Sequence, residues 1–151
     1  AGNMTSKIGI GDVVIGQTVL YHDADMDMLD QNPPYLDEYP GDPALIAAAQ
    51  AACAQAGVKA IAGRIATGDR FVGDTETKRK IEAACHPDCV EMEGAAVSQI
   101  AAKNGVPCVI LRAMSDNADE DGYEVLVVRD FSIKEYVATA TRIVAAMIER
   151  L

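Results

Sequence analysis

Cys89-Val90-Glu91-Met92-Glu93-Gly94 is the stretch on which the reading of this chain turns, and it is answered, after one helix and one strand, by Arg112-Ala113-Met114-Ser115-Asp116. Each piece reads as the end of a short apolar strand that delivers a carboxylate into the turn beyond it, where open α/β sheets keep their ligands. Glu93 and Asp116 are therefore expected to meet at one sheet edge.

Between the two pieces, Glu93 to Asn104 carries Ala96, Val97, Ile100 and Ala101 on one face and ends before Gly105, the pattern of a short amphipathic helix with a glycine stop. Pro107 to Leu111 is a continuous apolar run, as in a strand covered on both faces. Upstream, Val58 to Thr67 predicts a strand that runs into the glycine-bounded turn Gly68-Asp69-Arg70-Phe71-Val72-Gly73. A charged helix from about Thr75 to Ala84 and a His86-Pro87-Asp88 turn then lead back to Cys89.

Nearer the start, Asp42 reads as an N-cap with Pro43 at the first helical position, Leu45 to Ala56 is rich in helix formers, and Gly57 stops the run. Asp12 to Leu20 predicts a strand, whereas Met26 to Gly41, with three prolines and no period, predicts a long loop. Ala1-Gly2-Asn3 reads as a turn entered from an earlier strand. At the far end, Ser132 and Glu135 form a capping-box pattern, and Ile133, Tyr136, Val137, Ala140, Ile143, Val144, Met147, Ile148 and Leu151 mark an apolar stripe on a final helix that packs on a sheet. Strands alternating with helices predict a single α/β domain of three layers, a mostly parallel mixed sheet with helices on both faces.

Bulk properties narrow the function. A 151-residue chain that is 50% hydrophobic and 24% charged is long enough for a substantial core, and its net charge of −10 disfavours nucleic acid or anionic membrane as a partner. The four cysteines, Cys53, Cys85, Cys89 and Cys108, show no disulfide framework, so reduced thiols and a cytoplasmic location are expected. No apolar run reaches the roughly 18 residues of a membrane span. Cys85, His86 and Cys89 offer three possible metal ligands but no second pair at a zinc spacing, and Asn117, Asp119, Asp121 and Gly122 start a calcium-loop pattern that fails at Val128, so no metal is expected.

Taken alone, Glu93 is equally a favourable acid in the first turn of a helix, and Asp116 equally a turn-forming residue. Their pairing, with Met92 and Phe71 as nearby apolar surfaces, suits a substrate bearing hydroxyls and a basic heterocycle, because a carboxylate accepts two sugar hydroxyls and an aromatic ring stacks on a base. His22 reads as a structural, hydrogen-bonding histidine. Ser115 lacks the partners of a nucleophile and keeps a hydrogen-bonding role.

Gly11-Asp12-Val13-Val14, Tyr21-His22-Asp23-Ala24-Asp25, Gly68-Asp69-Arg70-Phe71, Val90-Glu91-Met92-Glu93 and Arg112-Ala113-Met114-Ser115-Asp116, in this order and spacing, closely resemble the 5′-methylthioadenosine/S-adenosylhomocysteine nucleosidases of the purine nucleoside phosphorylase superfamily. The resemblance implies a nucleoside phosphorylase-like fold and hydrolysis of an N-glycosidic bond without metal or organic cofactor. It implies Asp116 as the acid that protonates adenine N7, Ser115 as its orienting partner, Glu93 on the ribose hydroxyls, Met92 against the sugar and Phe71 stacked on adenine. The Val72 backbone would read the adenine edge, and Gly2 would lie in an early loop close to the substrate. It further implies a homodimer in which Met26 to Pro40 walls the neighbour's alkylthio pocket. On this resemblance the 151 residues correspond to about the C-terminal two-thirds of the family fold, with the water-activating glutamate in the segment that precedes them. A purine nucleoside phosphorylase, a futalosine hydrolase and a non-catalytic nucleoside-binding fragment stay open as alternatives.

Overall fold

In the computed structural model, which describes residues 1–119 and 133–151, a six-stranded mixed sheet is flanked by helices. Its strands are β1 (Gly2–Asn3), β2 (Val13–Tyr21), β3 (Glu38–Pro40), β4 (Ala60–Thr67), β5 (Cys89–Glu91) and β6 (Leu111–Ala113). The helices are α1 (Met26–Asp30), α2 (Pro43–Gln55), α3 (Thr75–Cys85), α4 (Gly94–Lys103) and α5 (Ile133–Ile148). The Ser132 cap of the last helix lies outside the described residues.

The order β1-β5-β4-β2-β3, with β6 also on β2, is parallel at its centre and antiparallel at its margins. Alternation along the strands sends Val13 and Ile15 towards α2 and α5, and Val14 with Ile65 and Cys89 into a second cluster that includes Ala95 of α4. Ala66, Val90 and Ile81 of α3 meet in a third. Both faces are therefore covered, as expected for the α/β class.

Several expectations need correction. Ala1-Gly2-Asn3 is not a turn, because Gly2 and Asn3 pair antiparallel with Val90 and Cys89. The Met26–Gly41 loop contains α1, capped by Asp25, and the edge strand β3, whose Tyr39 is buried edge-to-face against Tyr21. Both elements are too short to show a period. The strand expected over Pro107–Leu111 pairs only from Leu111, and it runs antiparallel to β2. On α5 the buried stripe is narrower than predicted: Ile143 and Met147 are covered, while Val137, Val144, Ile148 and Leu151 are exposed. That helix shares its core with α2 as well as with β2.

The largest departure concerns α4. Its buried residues are Gly94, Ala95 and Ser98, while Val97 and Ile100 stand exposed. Small side chains let a helix approach the sheet closely, and this face was taken inward at the expense of the more hydrophobic one.

Candidate active site

Asp116 and Glu93 do meet, but by a different route from two strands ending at one edge. β6 runs opposite in sense to the parallel core that includes β5. The chain beyond it stays extended: Met114 bonds Gly11 and Asp12, Ser115 N donates to Ala1 O at 2.9 Å, and Asp116 bridges to Gly2 while its carbonyl accepts from Asn3 N at 2.8 Å. A single run from Leu111 to Asp116 thus touches both margins of the sheet and curls it on itself, which sets Asp116 beside β1 and hence beside β5.

That approach is close. A Cβ on Gly2 would lie 2.7 Å from Ala118 Cβ and 3.0 Å from Asp116 Oδ1, so only glycine fits between β5 and the acid. Asp116 is 2% exposed. Its Oδ1 accepts from Ala118 N at 2.8 Å and its Oδ2 from the Ser115 hydroxyl at 2.7 Å. The carboxylate is thus buried and held at both oxygens while the residue lines the cleft.

The cleft, of about 150 Å³, is lined by Gly2, Phe71, Val72, Met92, Glu93, Ser115 and Asp116, so all seven expected residues come together. Phe71 and Met92 are roughly half exposed on its walls, whereas Val72 is buried in the third core cluster. The Phe71 ring folds over Gly73, where a Cβ would come within 2.8 Å of it. Asp23 anchors this turn by accepting from Asp69 N at 2.7 Å.

Glu93 is the N-cap of α4 but makes no capping bond with its own side chain, which points out with 65% exposure. Arg112 Nη2 donates to its Oε2 at 2.5 Å. The same nitrogen lies 3.1 Å from Oε2 of Glu91, whose side chain is fully buried. Glu91 and Arg112 belong to the two sequence motifs, which by themselves assign them no role. The available signal was the acid itself, since a carboxylate closing a buried strand needs a cation or several donors.

His22 departs from the hydrogen-bonding histidine expected. Its backbone N–H donates to Thr67 O at 2.9 Å, but Nε2 is buried without a hydrogen-bond partner among the described residues, pressed against Gly68. Cys85, His86 and Cys89 do not form a metal-holding group, and among the described residues no cluster of three such ligands occurs. Cys89 is buried in the core instead. No helix among the described residues is long and apolar enough to cross a membrane.

A family model described as the phosphorylase superfamily matches residues 1–149. The chain belongs to the phosphorylase superfamily. Among its relatives within that superfamily is a 5′-methylthioadenosine/S-adenosylhomocysteine nucleosidase of Shewanella halifaxensis, 41% identical over 127 residues, which are 80% of this chain and 55% of the relative. The chain thus spans a little over half the length of that relative. The corresponding nucleosidase of Neisseria meningitidis, solved with methylthio-immucillin-A, superposes with a TM-score of 0.85 at 32% identity over 99% of this chain and 66% of its own. A futalosine hydrolase of Helicobacter pylori superposes with the same TM-score at 28% identity, over 99% of this chain and 65% of its own. The curled mixed sheet with its surrounding helices is therefore the superfamily fold.

Proposed function

We propose that these residues hold the nucleoside and protonate the leaving base in an N-glycosyl hydrolase acting on 5′-methylthioadenosine and S-adenosylhomocysteine. The observation that carries the reading is the pair of carboxylates in one cleft, Asp116 buried and doubly held, Glu93 exposed and paired on one side only, with Phe71 and Met92 on the same cleft walls. The substrate class of the named relatives supports this reading.

In this reading adenine stacks on Phe71 with its edge along the Val72 backbone, and Asp116 donates a proton to N7. The C1′–N9 bond breaks with its electron pair passing to adenine, and the sugar takes on oxocarbenium character. Glu93 accepts the ribose hydroxyls and places negative charge near that developing cation, while Met92 packs on the sugar face. Water then attacks C1′ and releases a proton to solvent, from which the Asp116 carboxylate is reprotonated, giving adenine and a thioribose product. Ser115 steers the Asp116 carboxyl through its 2.7 Å bond.

Adenine release from methylthioadenosine in phosphate-free buffer tests this. The intact protein is expected to turn over, and Asp116→Asn to lose roughly 10²–10⁴-fold in kcat, the usual worth of a positioned proton donor. A requirement for phosphate would make the protein a phosphorylase, and binding without turnover would make it a nucleoside-holding module. The match to a futalosine hydrolase favours futalosine as the second substrate to assay. We also propose a homodimer, supported by the exposure of Val97, Ile100 and Val106 around α4 and of Met26, Met28 and Tyr35 in the segment after β2.

A further inference from the structure

We infer that Glu91 is a positioning residue, which takes over the capping of α4 and anchors Arg112 so that the carboxylate of Glu93 is presented to the ligand. The inference rests on the proposed role of Glu93 towards the sugar.

The first N–H groups of a helix have no partner within it, and a short polar side chain at the N-cap, Ser, Thr, Asp or Asn, ordinarily turns back to accept from them. Glu93 occupies that position on α4 and does not do so. Its neighbours do. Glu91 Oε2 accepts from Gly94 N at 2.8 Å and from Glu93 N at 3.3 Å, and Glu91 Oε1 accepts from Gly94 N at 3.0 Å. Thr67, on the adjacent strand β4, donates its hydroxyl to Glu91 Oε1 in a short bond and accepts from Ala95 N at 2.8 Å. Three successive donors of the helix start are thereby satisfied without Glu93.

Glu91 acts on the other end of Glu93 as well. Arg112 Nη2 sits between the two acids, 3.1 Å from Glu91 and 2.5 Å from Glu93 Oε2. Glu93 is held through its backbone from one side and through its carboxylate from the other. Its Oε1 accepts no hydrogen bond among the described residues, and the residue lines the cleft with its side chain 65% exposed, which leaves an acceptor for a hydroxyl pair. The charge on Glu91 matters here, because a carboxamide would turn an NH2 group towards either Arg112 or the helix N–H groups.

The test is a binding cycle on the intact protein, reading the Kd of methylthioadenosine, which carries the sugar, beside that of adenine, which does not. Glu91→Gln is expected to weaken methylthioadenosine about tenfold, the consequence of one badly placed charged hydrogen bond, and to leave adenine affinity unchanged. In a Glu93→Gln background the same change is expected to have no further effect, because the group it positions is gone. Additive losses, or a parallel loss of adenine affinity, would show that Glu91 merely holds the fold together and would overturn the inference. Should Glu91→Gln fail to fold, Thr67→Val removes the supporting hydroxyl within the same buried shape and is expected to give the same sugar-specific, Glu93-dependent loss. A wild-type protein that binds neither compound would refute the proposed function itself, and the positioning role with it. One that binds both but shows additive losses would refute only the role of Glu91.

Discussion

Cys89 shows how a single residue ties the site to the stability of the fold. It lies at the start of β5, fully buried, paired with Asn3 on one side and Ile65 on the other. Burial pushes its thiol up to about 12 from an ordinary 9.0, with the charge of Glu91 adding to the shift. Because the folded value is the higher, the native state keeps a proton that the unfolded chain releases. Its stabilising effect is full below pH 9 and is lost as pH rises from 9 towards 12. The stability of the wild type is expected to fall through this range by about 1.4 kcal/mol per pH unit more than that of Cys89→Ala. Denaturant titrations at several pH values check this, and parallel slopes for the two proteins would count against it. At the same scale, Asp116 and Glu93 stand out in the sequence because each follows a short apolar run. Glu91 went unassigned because its role lies in bonds to Thr67 and Arg112, residues distant in sequence.

At the scale of the element, capping signals carried over from sequence to structure and hydrophobic stripes did not always do so. Asp42 caps α2 as its position before Pro43 predicts, accepting from Ala44 N at 2.9 Å and Leu45 N at 3.0 Å. Asp42→Ala is expected to cost about 1 kcal/mol. Calorimetry should show a fall in Tm of about 2–4 °C, and an unchanged Tm would mean that the cap is redundant. A cap is a local contact over three residues, so sequence spacing alone reveals it. The exposed stripe of α4 is a different matter, because which face meets the sheet depends on how near the helix must come. Gly94, Ala95 and Ser98 permit a distance that Val97 and Ile100 do not. β3 and α1 leave no mark in the sequence, since neither persists long enough to establish a period.

Over the whole molecule, the apolar residues left outside are the basis for the proposed dimer. Ile100 is 59% exposed and Val97 53% exposed on one helix of a strongly acidic chain. Surface apolar residues in this number fit an interface better than free surface. Sedimentation should show a dimer at micromolar concentration, and Ile100→Glu should yield a monomer whose Tm is close to that of the wild type, since the side chain is outside the core. A wild-type monomer would refute the dimer, and a dimer that survives Ile100→Glu would move its interface off α4.

Sequence by itself determined the alternating α/β character, the Asp42 cap, the glycine-bounded turns and the two carboxylates just beyond apolar runs, because these depend on neighbours a few residues apart. Only the tertiary structure decided how those carboxylates come together. β6 runs antiparallel to β2, and the chain beyond it pairs with Gly2, so the sheet curls and brings Asp116 to β5. Hydrogen-bond pairing between segments about a hundred residues apart leaves no period in the chain. One trace of it is a glycine, Gly2, where no side chain would fit.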